Sequence, residues 1–164
     1  MQMTDIPSGT TDWSAVEVSS GGDFMEGGPI MNERENIEVV QQNYATVVRG
    51  DIPGLLSLLT DDVEWKMPGP SIIPWSGVHS GPNQVAEFFS LLAKTLEFQQ
   101  FEPREFIAQG DTVVVLGYER SLVKPTGRTF EQEWVHVYTL RGRKIAKCRI
   151  FEDTAAQVVA FGGA

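Results

Sequence analysis

Basic residues are scarce in this chain of 164 residues: 13 Lys and Arg stand against 22 Asp and Glu, a formal net charge of −9. A surplus of that sign offers no general attraction to a phosphate backbone or an anionic bilayer, so neither nucleic acid nor a membrane surface is an expected partner. Cysteine is scarcer still. Cys148 stands alone, which excludes an intrachain disulfide and a cysteine-built metal site and makes a reducing cytoplasm the expected compartment. Histidine occurs only as His79 and His136, without a carboxylate or second histidine at ligand spacing, and no metal is expected. No run approaches the roughly 20 apolar residues of a membrane-spanning helix, and the first residues lack the basic and apolar regions of a secretion signal. A Gly-rich phosphate loop, a nucleophile elbow and internal repeats are also missing, so no cofactor is implied.

What is present divides unevenly. Residues 1–32 hold Asp5, Asp12, Glu17, Asp23 and Glu26 but no Lys or Arg, with glycine and serine at 19–22 and Gly27-Gly28. That composition predicts a flexible acidic leader, and the folded domain is expected over 33–164. Arg141, Arg143, Lys144, Lys147 and Arg149 gather near the other end. They form either a solvated strand edge or a surface on which the leader docks.

Asn32, with Glu35 three positions on, opens a helix in which Ile37, Val40, Tyr44, Val47 and Val48 recur at helical spacing up to Gly50. Asp51 caps a second helix with Pro53 in its first turn and Leu55, Leu56, Leu58 and Leu59 on its buried side, ending at Asp61-Asp62. Val63 to Met67 predicts a short strand, Pro68 to Pro82 a loop, and Val85, Phe88, Phe89, Leu92 and Leu96 a third helix. Everything beyond reads as β: 98–108, 112–123, 128–140 and 143–151, separated by turn residues. Three helices before a four-stranded antiparallel meander predict an α+β domain, with the helices on one face of a curved, mainly antiparallel sheet and a conical cavity between the layers.

This order of elements, with YATVVRGD at 44–51, DDVEWKMPGP at 61–70 and RKIAKCRIFED at 143–153, resembles the SnoaL-like, ketosteroid isomerase-related branch of the nuclear transport factor 2-like superfamily over about residues 33–160. The resemblance implies that cone-shaped fold and a homodimer. Its functions range from isomerases and cyclases to epoxide hydrolases and binding modules. Laid against ketosteroid isomerases, whose oxyanion hole is a standard example, Tyr44 falls near the tyrosine, His136 replaces the hydrogen-bonding aspartate and Met67 replaces the general base. Laid against limonene epoxide hydrolases, Glu119 falls on the first acid, Gly117 on the arginine and Ile150 on the second acid.

Strand alternation with these registers puts Trp134, His136 and Tyr138 on one face of one strand and Gly117, Glu119 and Ser121 on one face of its neighbour. Glu119 and His136 are therefore the expected acid/base pair, with Tyr44 polarising a carbonyl. Each also has a plain structural reading, as a paired strand carboxylate, a satisfied sheet histidine and a packed helix tyrosine. Trp65, Met67, Trp75, Phe88, Trp134, Tyr138 and Ile150 are the expected ligand contacts, Trp75 at the mouth. The first expectation is cofactor-independent proton transfer, of isomerase or cyclase type, on an apolar cyclic or polyketide-like carbonyl compound. A non-catalytic ligand-binding module and an epoxide-hydrolase-like enzyme are the alternatives.

Overall fold

The computed structural model describes residues 32–163, so the leader inferred for 1–32, apart from Asn32, and its docking on the basic cluster lie outside the described residues. Helix α1 (Glu33–Val48) opens where the Asn32 side chain accepts from the Arg34 backbone N–H at 3.2 Å. Glu35, expected to close the cap, turns instead to Arg143 at 3.2 Å. Helix α2 (Ile52–Ser57) is capped by Asp51, which accepts from the Gly54 N–H at 2.9 Å, with Pro53 in its first turn. Asp51→Ala should cost about 1 kcal/mol, seen as a lower urea midpoint at unchanged slope.

Beyond that cap the chain departs from expectation. Helix α2 ends before Leu59, which already belongs to strand β1 (Leu59–Met67) and pairs with Ile145. A short run of leucines suits either period, and here the partner strand decides. Strand β2 (Gly77–Ser80) interrupts the expected 68–82 loop and pairs antiparallel with β1, His79 opposite Trp65. Four mostly exposed residues on a sheet edge leave no alternation to read. Helix α3 (Gly81–Thr95) follows and buries Val85, Phe88 and Phe89.

Strands β3 (Leu96–Gln109), β4 (Thr112–Val123), β5 (Arg128–Arg141) and β6 (Lys144–Glu152) make the expected meander. The sheet is wider than four strands: its order is β2-β1-β6-β5-β4-β3, and β1 runs parallel to β6. The reading of β structure to the end also misses helix α4 (Thr154–Ala160), which Asp153 caps by accepting from the Ala156 N–H at 3.1 Å. The architecture is α+β, with helices packed on a curved, unclosed six-stranded sheet. Among the described residues, no helix is long and apolar enough to cross a membrane.

The register sets the inward side chains in rows across β4, β5 and β6. Val115, His136 and Ile150 form one row, Gly117, Trp134 and Glu152 the next, and Glu119 lies opposite Gln132 in the row beyond. The indole of Trp134 fills the space over Gly117, where an added Cβ would stand 2.1 Å from the ring.

Candidate functional site

Between sheet and helices lies a narrow, mainly apolar cavity of about 70 Å³. Of the expected contacts, Trp65, Met67, Trp75, Phe88, Tyr138 and Ile150 line it, as do Tyr44, Glu119 and His136. Trp75 departs from its expected place at the mouth: it is buried at 1% exposure, packs edge-on against Phe161 and has its carbonyl held by His79 at 2.9 Å. The loop folds inward because that indole and Ile73 find apolar cover there. Trp134 does not line this cavity. It stacks on His136 with ring centroids 4.1 Å apart and borders a second cleft that opens elsewhere.

One pole of the cavity is built on His136. Tyr44 from α1 reaches its Nδ1 at 2.8 Å, Tyr138 from β5 approaches the same atom at 3.5 Å, and Asn43 donates to the Tyr138 hydroxyl at 3.4 Å. Burial keeps both phenols protonated, their pKa well above 10.0, and lowers that of His136 from 6.5 to about 3. The ring is therefore neutral near pH 7. In the tautomer in which Tyr44 donates to Nδ1, the ring's own proton sits on Nε2. That Nε2 has no protein partner and is buried, a costly state for a donor unless something else accepts from it. Tyr44, expected to polarise a carbonyl, has its hydroxyl against the imidazole.

Carboxylates make the other pole. Glu119, 4% exposed, accepts from the Gln132 amide at 2.8 Å. Burial, reinforced by the nearby Glu152, raises its pKa well above 4.5 against the lowering effect of Gln132. Glu152 accepts from Gln157 of α4, and burial raises its pKa to about 7. The expected Glu119–His136 hydrogen bond is not made: His136 faces Val115 on β4, four residues from Glu119, which is about 13 Å along a strand. Alternation identifies the face correctly, but only cross-strand pairing identifies the row. Glu152, Gln132 and Gln157 were not singled out in the sequence. Parity with Ile150 and Trp134 would have pointed the first two inward, whereas Gln157 needed the unforeseen α4.

The comparisons fit this architecture. No curated protein matches the chain. The SnoaL-like domain profile matches residues 40–148. An NTF2-like protein from Burkholderia xenovorans shares 37% identity over 80% of this chain and 98% of its own, with a TM-score of 0.75. TerC, co-crystallised with polyporic acid, shares 30% identity over 79% of this chain and 99% of its own, at a TM-score of 0.68. A Jannaschia protein named as a SnoaL-like polyketide cyclase has the same fold at 18% identity, covering 86% of this chain and 99% of its own, with a TM-score of 0.70. A domain match across most of the described residues, on a sheet and helices shared with these structures, makes this chain a member of the SnoaL-like domain family.

Proposed function

We propose that the protein is an enzyme of cofactor-independent proton transfer, isomerase or cyclase in type, acting on a flat, apolar carbonyl compound. The unpartnered Nε2–H of a neutral His136 beside an aromatic cavity carries this reading. A ligand carbonyl accepting from that donor gains polarisation where enolate charge develops, and a neutral imidazole can give this hydrogen bond without surrendering its proton. Glu119 borders the same cavity and serves as the proton carrier, so the ligand bridges the two poles that the protein itself leaves apart. The aromatic walls supply the apolar contact. TerC, crystallised with polyporic acid, supports a small molecule as the occupant of such a cavity.

The test is exchange of solvent deuterium into a panel of cyclic ketones, beginning with 2-tetralone, measured against the buffer rate. Replacing His136 by Ala should slow exchange by about 100-fold, the usual loss for one donor to a developing oxyanion. Tyr44→Phe should slow it by about tenfold, because it frees the ring without removing Nε2. Saturable binding with exchange at the buffer rate across the panel would identify a binding module instead. The epoxide-hydrolase alternative has the aliphatic side chain of Ile150 facing the cavity where its second acid is required.

A further inference from the structure

We infer that Glu152 is a second catalytic carboxyl, working with Glu119 as an acid/base pair held by the amides of Gln132 and Gln157. The inference deepens the proton-transfer reading and rests on it for the reaction. The pairing itself stands on geometry.

Glu152 projects from the end of β6 on the same face as Cys148 and Ile150, and Trp134 is its cross-strand partner. Gln132, next along the inward face of β5, donates to Glu119 on one side. Gln157 of α4 donates to Glu152 and lies 3.4 Å from the Gln132 carbonyl oxygen, so the two amides connect the carboxyls. Both carboxyls line the inner cavity. Glu152 also borders the second cleft, lined by Arg104, Glu105, Leu116, Glu133 and Phe151.

Two buried carboxyls whose charges interact do not ionise together easily, and environments that push their proton affinities apart divide acid from base. Burial raises the proton affinity of both carboxyls, and Glu152 adds to it at Glu119; in the proposed cycle Glu119 begins protonated and Glu152 as carboxylate. In the forward step Glu152 takes a proton from the carbon beside the ligand carbonyl. The C–H pair moves to the oxygen held by His136, forming an enolate. Where a double bond neighbours that carbon the enolate is a conjugated dienolate, and Glu119 then gives its proton to the far carbon as the carbonyl re-forms. The pair has lost one proton and gained one, and exchange of each carboxyl with water after product leaves resets it. No oxidant or metal takes part.

The titratable groups that interact with Glu152 are Glu119 from β4 and Cys148 from its own strand β6, while Arg104, Glu105 and Glu133 stand on the cleft beyond. Glu152→Gln removes the ionisable neighbour of Glu119 and keeps a side chain that can bond Gln157. Carboxyl titration by carbon NMR in full-length protein labelled at glutamate should show linked steps for the two groups, with the Glu119 midpoint falling by about one pH unit in the variant. An unmoved Glu119 midpoint in folded Glu152→Gln overturns the pair. In the 2-tetralone exchange assay, the rising limb near pH 7 should vanish with the variant while ligand affinity stays within about threefold. A retained limb overturns the catalytic role. If the native protein exchanges no ketone, the proton-transfer reading fails and the catalytic role with it, whereas the NMR titration still decides the pair.

Discussion

Gly117→Ala should destabilise the protein by about 3 kcal/mol, the upper part of the usual range for an overpacked core. The added Cβ would meet the Trp134 indole at 2.1, 2.4 and 2.5 Å, inside any real contact distance. The indole cannot swing aside cheaply. It stacks on His136 at 4.1 Å and on Phe101 at 5.0 Å between centroids, so moving it disturbs both rings. Urea unfolding measures the loss, and Trp134→Phe combined with Gly117→Ala should recover part of it because the smaller ring vacates the contested space. A neutral Gly117→Ala would mean the indole does not lie across that glycine. Because the same indole backs His136, the single variant should also slow ketone exchange.

The second large effect is a stability that falls as pH rises through neutrality. Glu152, raised from 4.5 to about 7, binds more proton in the folded state than in the unfolded one between those values. It therefore stabilises fully below pH 4.5 relative to alkaline pH, and that contribution, on the order of 3 kcal/mol, is lost by about pH 7. Glu119, also raised by burial, acts in the same direction. His136 opposes them: lowered to about 3 from 6.5, it adds stability as pH climbs through that window and nothing more above it. The unopposed descent should therefore be steepest from about pH 6.5 to 7. Thermal midpoints from pH 4 to 8 should peak on the acid side of neutrality, and the Glu119→Gln, Glu152→Gln double variant should remove the descent. A native profile flat between pH 6 and 8 would show that these carboxyls ionise freely in the fold.

The legible parts of this fold were those with a period to count. Helix α1 announced itself through Ile37, Val40 and Tyr44, and β4 and β5 through alternation that put Glu119 and His136 on the inward side, where both are buried. Strand β2 and helix α4 were too short for a period, although Asp153 before Thr154-Ala155-Ala156 offered a cap to read. At the site, sequence supplied the residue types and the face. It did not supply the row, because whether His136 meets Glu119 or Val115 depends on hairpin register, a tertiary quantity. The carboxyl partner of Glu119 was hidden for the same reason: Glu152 reaches it only through two glutamines from β5 and α4.

The parallel seam between β1 and β6 has a consequence for how the molecule comes into being. Leu59 and Trp65 pair with Ile145 and Cys148 across the whole intervening meander, and contacts so distant in sequence are slow to close. Trp65 and Met67 on one side of the cavity, and Ile150 on the other, are therefore brought together late. Ligand affinity should thus appear in one final kinetic phase of refolding, and a chain halted before β6 should have no cavity to offer.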